Sequence, residues 1–505
     1  MNVKKLLTKV CIGAFAIISI KIAYDNMETL GTAPGESITS TQWVNLKVND
    51  FEYPIDLYAA ENTLNVGTMN SDRYNTISIG EYTGYNISIN SMELPSDSTI
   101  QITLDELAPD KKIEVNITNT VSGEEHILYI NTLPENYTSP PIHANNPDPG
   151  FYYFNLNEYV YKMNTDGEIV FWRLAGQGDG FSGGNDFKLA EIDGKVYYTF
   201  LYGQETPDSP HLDGVDYGRM QGLVLDENYQ IVDNVQFASL DTGEKVPLDN
   251  YQFTMLGEKH YLLTSYAGKY VDNIPASIKS SNMESRVVSA MIQEVSNGDI
   301  IFEWDSTNHP ELYELSTDGN DFYNTSSFWA DYAHLDSVVM DQDQNFICSF
   351  RNLDTILKID RTTGDIMWKL GGAADDFGLT PDEKFSKQHD VRITPDGDIT
   401  LFNNGNEGSS DESGQTTIMK FKLDESAKTV LDFQEYACEG QFSSSMGSAQ
   451  ETGDSRFVIG WGERVTHSPL FSEIDFESGE ILFEILSPSD EGNFPNVYRV
   501  YKFDQ

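Results

Sequence analysis

The sequence predicts an all-β fold, and three observations support that prediction. Short runs that alternate apolar and polar residues follow one another along most of the chain, which is typical of strands with one buried face. Turns that contain glycine separate these runs, and helical periodicity is scarce. The composition agrees, because 27 Tyr, 27 Phe and 39 Gly residues suit strands and turns better than helical bundles.

The first segment of the chain has the pattern of a signal peptide. Lys4, Lys5 and Lys9 precede an apolar run from Val10 to Ile20 that is too short for an ordinary transmembrane helix. No clear cleavage site of small residues follows. We therefore expect residues 1–24 to be either a cleaved signal peptide or a membrane anchor, and the protein to be secreted or extracytoplasmic.

Residues 40–135 are predicted to form a small β-sandwich domain. Runs such as YNISINSMEL, STIQITLDEL and KKIEVNITNT alternate with period two and end in polar breaks, as in a small antiparallel sandwich. Prolines and asparagines are then concentrated between Leu133 and Gly150, which indicates a domain boundary.

Residues 150–505 contain a weak repeat of strand, glycine turn and strand. Its copies are NTDGEIVFW, VSNGDIIFEW, DRTTGDIMWKL, TPDGDITLF and DFESGEILFEI. Among all-β repeat architectures the propeller is the leading candidate. Six blades would have about 59 residues each, which leaves room for long loops, and counting alone is also compatible with five or seven blades.

Charge and cysteine usage exclude some functions. The formal net charge of −48 argues against nucleic acid as a partner, since phosphate binding needs Lys and Arg. Beyond the first segment the only cysteines are Cys348 and Cys438, and neither lies in a metal-binding spacing. We expect no metal and no cofactor.

Three polar residues suit the chemistry of group transfer. His334 lies in DYAHLDS, Arg351 follows a predicted strand, and His389 opens another strand in QHDVRI. An imidazole can attack sulfur or phosphorus, a guanidinium can stabilise charged oxygens, and a second imidazole can move a proton. The simpler alternative is that the histidines are hydrogen-bonding strand ends and the arginine forms a structural ion pair.

The stretches DYAHLDSV, SFRNLDTILKIDRTTGDIMWKLGG and FSKQHDVRITPDGDITLFNNG, in this order, resemble the arylsulfate sulfotransferase family that works without phosphoadenosyl phosphosulfate. The resemblance implies a six-bladed propeller that moves a sulfuryl group from an aryl sulfate to a phenol by a ping-pong mechanism. It also implies that the catalytic residues are His389, which becomes sulfated, His334, which handles the phenolic proton, and Arg351, which holds the sulfuryl oxygens. Bacterial members are dimers, so the resemblance implies a homodimer.

Two positions depart from the family pattern, and both are predicted to contact substrate. Asp336 stands where the family motif usually has Asn, so its carboxylate would repel an anionic donor unless it were protonated or paired. We expect Asp336 to lie close enough to Arg351 to pair with it. Tyr251, in LDNYQF, stands where a related segment carries a further histidine, and its phenol can still donate a hydrogen bond.

Two other functions remain open on the sequence. One is a non-catalytic propeller that binds an extracellular ligand. The other is a quinone-dependent dehydrogenase, because DRTTGDIMWKL resembles the tryptophan-docking repeat of those propellers. Only one copy of that repeat is complete and no adjacent cysteine pair is present, so Trp172, Trp304 and Trp368 are more simply explained by packing between blades.

Overall fold

A computed structural model gives the protein's structure. It describes residues 43–48, 51–57, 61–65, 74–89, 92–103, 113–131, 133, 140–177, 186–204, 220–238, 245–280, 283–406, 414–437, 441–453, 455–464, 469–487 and 496–504. The predicted signal peptide or anchor, residues 1–24, lies outside these residues. The described part of the chain is all-β, as predicted, with only short 3₁₀ turns at Ser306–Asn308, Pro310–Leu315, Arg351–Leu353 and Pro381–Glu383.

The N-terminal part consists of two sheets that share one hydrophobic core. Its strands are β1 (Trp43–Val48), β2 (Phe51–Asp56), β3 (Glu61–Asn65), β4 (Tyr74–Ile79), β5 (Tyr85–Ile89), β6 (Met92–Glu93), β7 (Ser98–Thr103), β8 (Ile113–Asn119) and β9 (Glu125–Asn131). One sheet has the order β2-β1-β4-β7, and the other has β3-β9-β8-β5-β6. The alternation seen in the sequence places Tyr85, Ile87 and Ile89 on the buried face of β5.

The next strands begin the larger part of the protein. They are β10 (Ile142–Ala144), β11 (Phe151–Leu156), β12 (Tyr159–Asn164), β13 (Ile169–Leu174), β14 (Gly176–Gln177), β15 (Lys188–Ile192), β16 (Lys195–Gln204), β17 (Met220–Asp226), β18 (Ile231–Val235), β19 (Phe237–Ala238) and β20 (Lys245–Val246).

The remaining strands complete it. They are β21 (Phe253–Gly257), β22 (His260–Val271), β23 (Ser285–Ser296), β24 (Asp299–Asp305), β25 (Leu335–Met340), β26 (Phe346–Phe350), β27 (Thr355–Ile359), β28 (Ile366–Gly371), β29 (His389–Ile393), β30 (Ile399–Asn403), β31 (Thr417–Asp424), β32 (Thr429–Ala437), β33 (Ser443–Ser445), β34 (Ser448–Gly453), β35 (Arg456–Gly460), β36 (Glu463–Arg464), β37 (Phe471–Asp475), β38 (Ile481–Ile485) and β39 (Val500–Phe503).

Six sheets of four or five strands follow one another along the larger part. We number them in order: sheet 1 is β13-β12-β11-β39, sheet 2 is β14-β16-β17-β18 with β15 beside β16, sheet 3 is β21 to β24, sheet 4 is β25 to β28, sheet 5 is β29 to β32, and sheet 6 is β10-β38-β37-β35-β34. The pairs β19-β20 and β33-β36 are separate. Sheet 1 therefore joins both ends of this part of the chain, because Phe151 of β11 pairs with Phe503 of β39.

Buried clusters connect the six sheets in a closed cycle. One cluster joins sheet 1 to sheet 2, and the next three join sheets 2 and 3, 3 and 4, and 4 and 5. A fifth joins sheets 5 and 6, and the last joins sheet 6 back to sheet 1. Each sheet thus contributes buried residues to both of its faces, and inner strands such as β26 and β30 are buried at every position.

The glycine turns of the sequence repeat form the tight connections within the sheets. Gly167, Gly298, Gly364, Gly397 and Gly479 all have positive φ, between 73° and 89°. A residue with a β-carbon is strained in this region, so the repeat retains glycine where the chain reverses.

Two tryptophans dock the last strand of one sheet onto the next sheet. The Trp304 indole in β24 donates to the carbonyl of Gly364 at 3.1 Å, and the Trp368 indole in β28 donates to Glu425 at 3.1 Å. The two acceptors lie in corresponding turns of sheets 4 and 5. These contacts support the packing explanation for the tryptophan motif.

No helix in the described ranges has the length and hydropathy needed to cross a bilayer.

Candidate functional site

The two predicted catalytic histidines lie where the first strands of sheets 4 and 5 begin. His334 immediately precedes β25, and His389 is the first residue of β29. Both strands have an irregular register at this point, around Asp336 in β25 and Asp390 in β29. The irregularities release the two carboxylates from ordinary strand pairing, and the Asp390 backbone N–H donates to Asp336 at 2.6 Å.

His389 is held in one orientation and is only 2 % exposed. Its Nδ1 lies 2.6 Å from Oδ1 of Asn404, while the Asn404 amide donates to the carbonyls of Ser443 and Met446. These two bonds fix the amide oxygen toward the ring, so Nδ1 carries the proton and donates it to Asn404. Nε2 is therefore the unprotonated nitrogen, and it accepts the Met446 N–H at 3.2 Å.

Burial lowers the pKa of His389 to about 4, with the positive charge of Arg351 and the charge on His334 acting in the same direction. The carboxylate of Asp336, 4.0 Å from Nε2, and the bond to Asn404 act in the opposite direction. At neutral pH the imidazole is uncharged, which is the nucleophilic form.

His334 lies between a carboxylate and a phenol. Its Nδ1 is 2.5 Å from Oδ2 of Asp331, and its Nε2 is 3.1 Å from the hydroxyl of Tyr251. A carboxylate behind one ring nitrogen fixes the orientation of the imidazole and the position of the proton on that nitrogen. The other nitrogen is thereby directed to the phenol.

Arg351 is attached to the same segment through the backbone. Its N–H donates to the carbonyl of His334 at 2.8 Å, and its guanidinium donates to Asn352 at 2.9 Å and to Asp318 at 3.4 Å. The residue is 9 % exposed. A planar cation with several donors in a buried site suits the oxygens of a tetrahedral anion.

The cation beside Asp336 is Arg499, whereas we expected Arg351 in this place. Oδ1 of Asp336 accepts from the Tyr498 hydroxyl at 2.6 Å and lies 3.4 Å from the Arg499 guanidinium. Burial opposes ionisation of Asp336, but the charge of Arg499 and the bonds from the Tyr498 hydroxyl and the Asp390 N–H hold the pKa of its carboxyl below the usual range. Asp336 is therefore an ionised carboxylate in the folded protein.

Tyr251 is positioned by its neighbour Asp249, whose Oδ1 accepts the Tyr251 N–H at 2.9 Å. Burial raises the pKa of the Tyr251 phenol well above its ordinary value, and the charges of Asp331, Asp249 and Asp336 act in the same direction. Tyr251 is thus a neutral hydrogen-bond donor. Burial also raises the pKa of Asp249, to about 7.

The backbone at the site is strained at four non-glycine residues. His334, Lys387, Asp390 and Met446 have φ between 51° and 63°, in the left-handed region. Such residues cost of order 1 kcal/mol or more each, and they are often found where a side chain must be aimed at a site.

The structure thus brings His334, Asp336, Tyr251 and Arg351 into one neighbourhood with His389. Sequence reasoning missed Asp331, Asn404, Tyr498 and Arg499. Asp331 and Asn404 lie within the motifs DYAHLDS and FNNG and could have been suspected from their spacing to the histidines. Arg499 follows Tyr498 just before the last strand, and nothing local in the sequence connects it to the site. In the described part of the chain, no group of three or more His, Cys, Asp or Glu side chains could hold a metal ion.

Comparison with known proteins gives one informative match. The sequence model of the arylsulfotransferase (ASST) family matches residues 206–466, more than half of the chain. No curated protein matches.

Solved structures resemble the chain only weakly. A protein of unknown function from Bacteroides caccae has a TM-score of 0.41 and 10% identity, covering 71% of this chain and 100% of that one. Virginiamycin B lyase from Staphylococcus aureus has a TM-score of 0.31 and 9% identity, covering 88% of this chain and 99% of that one. Neither similarity supports an argument.

Proposed function

Because the chain belongs to the arylsulfotransferase family, we propose that it moves a sulfuryl group from an aryl sulfate to a phenol, with His389 as a covalent relay. The family membership supports aryl sulfotransferase activity in general. The observation that carries the finer proposal is the unprotonated Nε2 of His389, buried and fixed through Nδ1 by Asn404. The donor is the aryl sulfate itself, so no phosphoadenosyl phosphosulfate and no other cofactor is needed.

In the first half-reaction, the lone pair of Nε2 forms an N–S bond while the S–O bond to the aryl oxygen breaks. His334, whose Nδ1 is held by Asp331, supplies the proton that the departing phenolate takes up. The Tyr251 hydroxyl, bonded to Nε2 of His334, would hand this proton on to the phenolic oxygen.

In the second half-reaction, the acceptor phenol returns a proton to His334. The oxygen of the acceptor phenol forms the new S–O bond. The N–S bond breaks, and its electron pair returns to Nε2 of His389. Donor and acceptor use one site in turn, which is why ping-pong kinetics follow from this route.

Arg351 would stabilise the sulfuryl oxygens while the group is transferred. By analogy with phosphoryl transfer, the transition state is loose, so the protein contributes position and charge more than bond-making power. Replacement of Arg351 by Ala should therefore lower kcat more than it raises KM.

Intact-mass spectrometry after brief incubation with p-nitrophenyl sulfate tests the relay. The wild type should gain the mass of one sulfuryl group and His389→Gln should gain none. The matched control is His260→Gln, which removes a histidine that lies in β22 and pairs with Glu294 at 2.6 Å. It should label as the wild type does. An adduct in His389→Gln, or transfer without parallel-line kinetics in the wild type, would contradict the covalent route. A chain that neither labels nor transfers would instead favour the non-catalytic ligand-binding propeller.

We also propose the architecture that accompanies this activity. The six sheets and their closed cycle of clusters support a six-bladed propeller over residues 150–505, and the shared core of the two N-terminal sheets supports a sandwich over residues 40–135. Export through residues 1–24, by cleavage or as an anchor, and assembly into a homodimer remain predictions. Amino-terminal sequencing of the exported protein and light scattering would test them.

A further inference from the structure

One buried arginine contacts residues that lie in, or just before, strands of four different sheets. Arg499, immediately before β39, is only 1 % exposed. Its guanidinium donates to Gln252, just before β21, at 2.7 Å and lies 3.4 Å from Asp336 in β25. It is also 3.7 Å from Asp186, which precedes β15, and 3.8 Å from Asp390 in β29.

Two of these three aspartates have another cation close by. Asp186 pairs with Lys188 at 2.6 Å, and Asp390 pairs with Arg392 at 2.7 Å. Among the described contacts, the arginine that pairs with Asp336 is Arg499. The charge of Asp336 is thus balanced by Arg499, which immediately precedes β39 and is far from Asp336 in sequence.

We propose that Arg499 is a positioning residue of the sulfuryl-transfer site, which cancels the charge of Asp336 and so keeps His389 neutral and the site open to an anion. This inference rests on the proposed function. Arg499 acts through Asp336 and Tyr498 and need not touch substrate.

The geometry explains why the charge must be cancelled. Asp336 lies 4.0 Å from the reacting Nε2 of His389. An uncompensated carboxylate at this distance would favour the imidazolium form, which cannot attack sulfur, and would repel the sulfate ester. Several other titratable and charged groups surround His389, Asp336 and Arg499. They are Asp186, Lys188, Asp249, Tyr251, His334, Arg351, Asp390, Arg392, Tyr498 and Tyr501.

The experiment measures the pKa of the His389 imidazole by NMR on protein with ¹³C-labelled histidine. The protein has eight histidines, so the His389 signal is assigned by its loss in His389→Gln. The variants are Arg499→Gln, the double variant Arg499→Gln with Asp336→Asn, and Arg499→Lys. The matched control is Arg361→Gln, which removes an arginine that pairs with Glu294 at 2.6 Å away from the site.

Arg499→Gln should raise the His389 pKa by one unit or more, shift the acidic limb of the sulfation rate by the same amount, and raise the donor KM at least fivefold. Adding Asp336→Asn should return the His389 pKa to within half a unit of the wild type and bring the donor KM most of the way back to the wild-type value. Arg499→Lys and Arg361→Gln should leave the pKa within half a unit.

A purely structural Arg499 gives a different pattern. The double variant would then be no better than Arg499→Gln, and the His389 pKa would not follow the charge. If Arg499→Gln does not fold, the double variant decides the question. It removes both charges of the Asp336–Arg499 pair, so a shifted His389 pKa in it overturns the proposal. The NMR result does not require turnover, so it stands even if no sulfuryl transfer is found and the proposed function fails.

Discussion

Replacement of Asn404 by Asp tests the assignment of Nε2 as the nucleophile. The Asn404 oxygen accepts the Nδ1 proton of His389 at 2.6 Å, and its amide donates to Ser443 at 2.9 Å and to Met446 at 3.0 Å. An aspartate of the same shape can still accept from Nδ1, but it introduces a negative charge beside the ring and cannot donate to the two carbonyls.

This change should have two effects, one on the pKa of His389 and one on the stability of the fold. A carboxylate in contact with an imidazole raises its pKa by about 1–3 units, so the His389 pKa of about 4 should rise to roughly 5–7. Two buried carbonyls that lose their donor cost about 1–3 kcal/mol each, so the free energy of unfolding should fall by about 2–6 kcal/mol.

The assay is single-turnover sulfation between pH 4.5 and 8, quenched and read by intact mass. In the wild type the rate should be flat down to about pH 5, because neutral imidazole dominates above its pKa. In Asn404→Asp the rate should begin to fall near neutrality. The control is Asn234→Asp, an exposed asparagine whose amide donates to Gln221 at 2.7 Å, and its profile should match the wild type. An unchanged acidic limb in Asn404→Asp would refute the tautomer assigned to His389.

Three further predictions follow from contacts already described. Asp336→Asn alone should lower the free energy of unfolding by about 3–5 kcal/mol in urea titrations at pH 7, since it breaks a buried ion pair, against less than about 0.5 kcal/mol for the exposed Glu477→Gln. Because the pKa of Asp336 is lowered in the folded protein, its stabilising effect should be present above about pH 4 and should be lost as the pH falls through the folded pKa. If the loss of stability in Asp336→Asn stays the same in acid, this explanation is wrong. Trp368→Phe should cost about 1–3 kcal/mol through the lost indole bond between sheets, with KM unchanged; a neutral result would mean that the docking is not stabilising. Asp331→Asn should lower kcat about 10- to 100-fold through misorientation of His334, with the loss growing as the leaving phenol becomes more basic; a uniform loss across donors would argue against a proton-transfer role.

The all-β fold was predictable because its determinants are local. Alternating residues in runs such as YNISI and positive-φ glycines in turns such as PDGD act within a few residues, so the sequence displays them directly. The cyclic packing of the six sheets depends on contacts between distant segments, and the repeat only hints at it.

The site was predictable to a lesser extent. His334, Arg351 and His389 stood out because motifs surround them, and the structure places them together. The partner of Asp336 was wrongly expected, because Arg351 is near in sequence whereas Arg499 reaches the site from the far end of the chain. Ion pairs between segments this distant leave no trace in residue spacing.

The pairing of β11 with β39 has a consequence for how the protein matures. The cycle of sheets is closed by hydrogen bonds between Phe151 and Phe503 and their neighbours, and Arg499 enters the site on the approach to that same last strand. A chain that is still emerging during synthesis therefore has neither a closed ring nor a balanced charge beside His389. Under the proposed His389 route, closure of the ring and completion of the site coincide, and the onset of histidine labelling by an aryl sulfate would report the moment at which β39 pairs with β11.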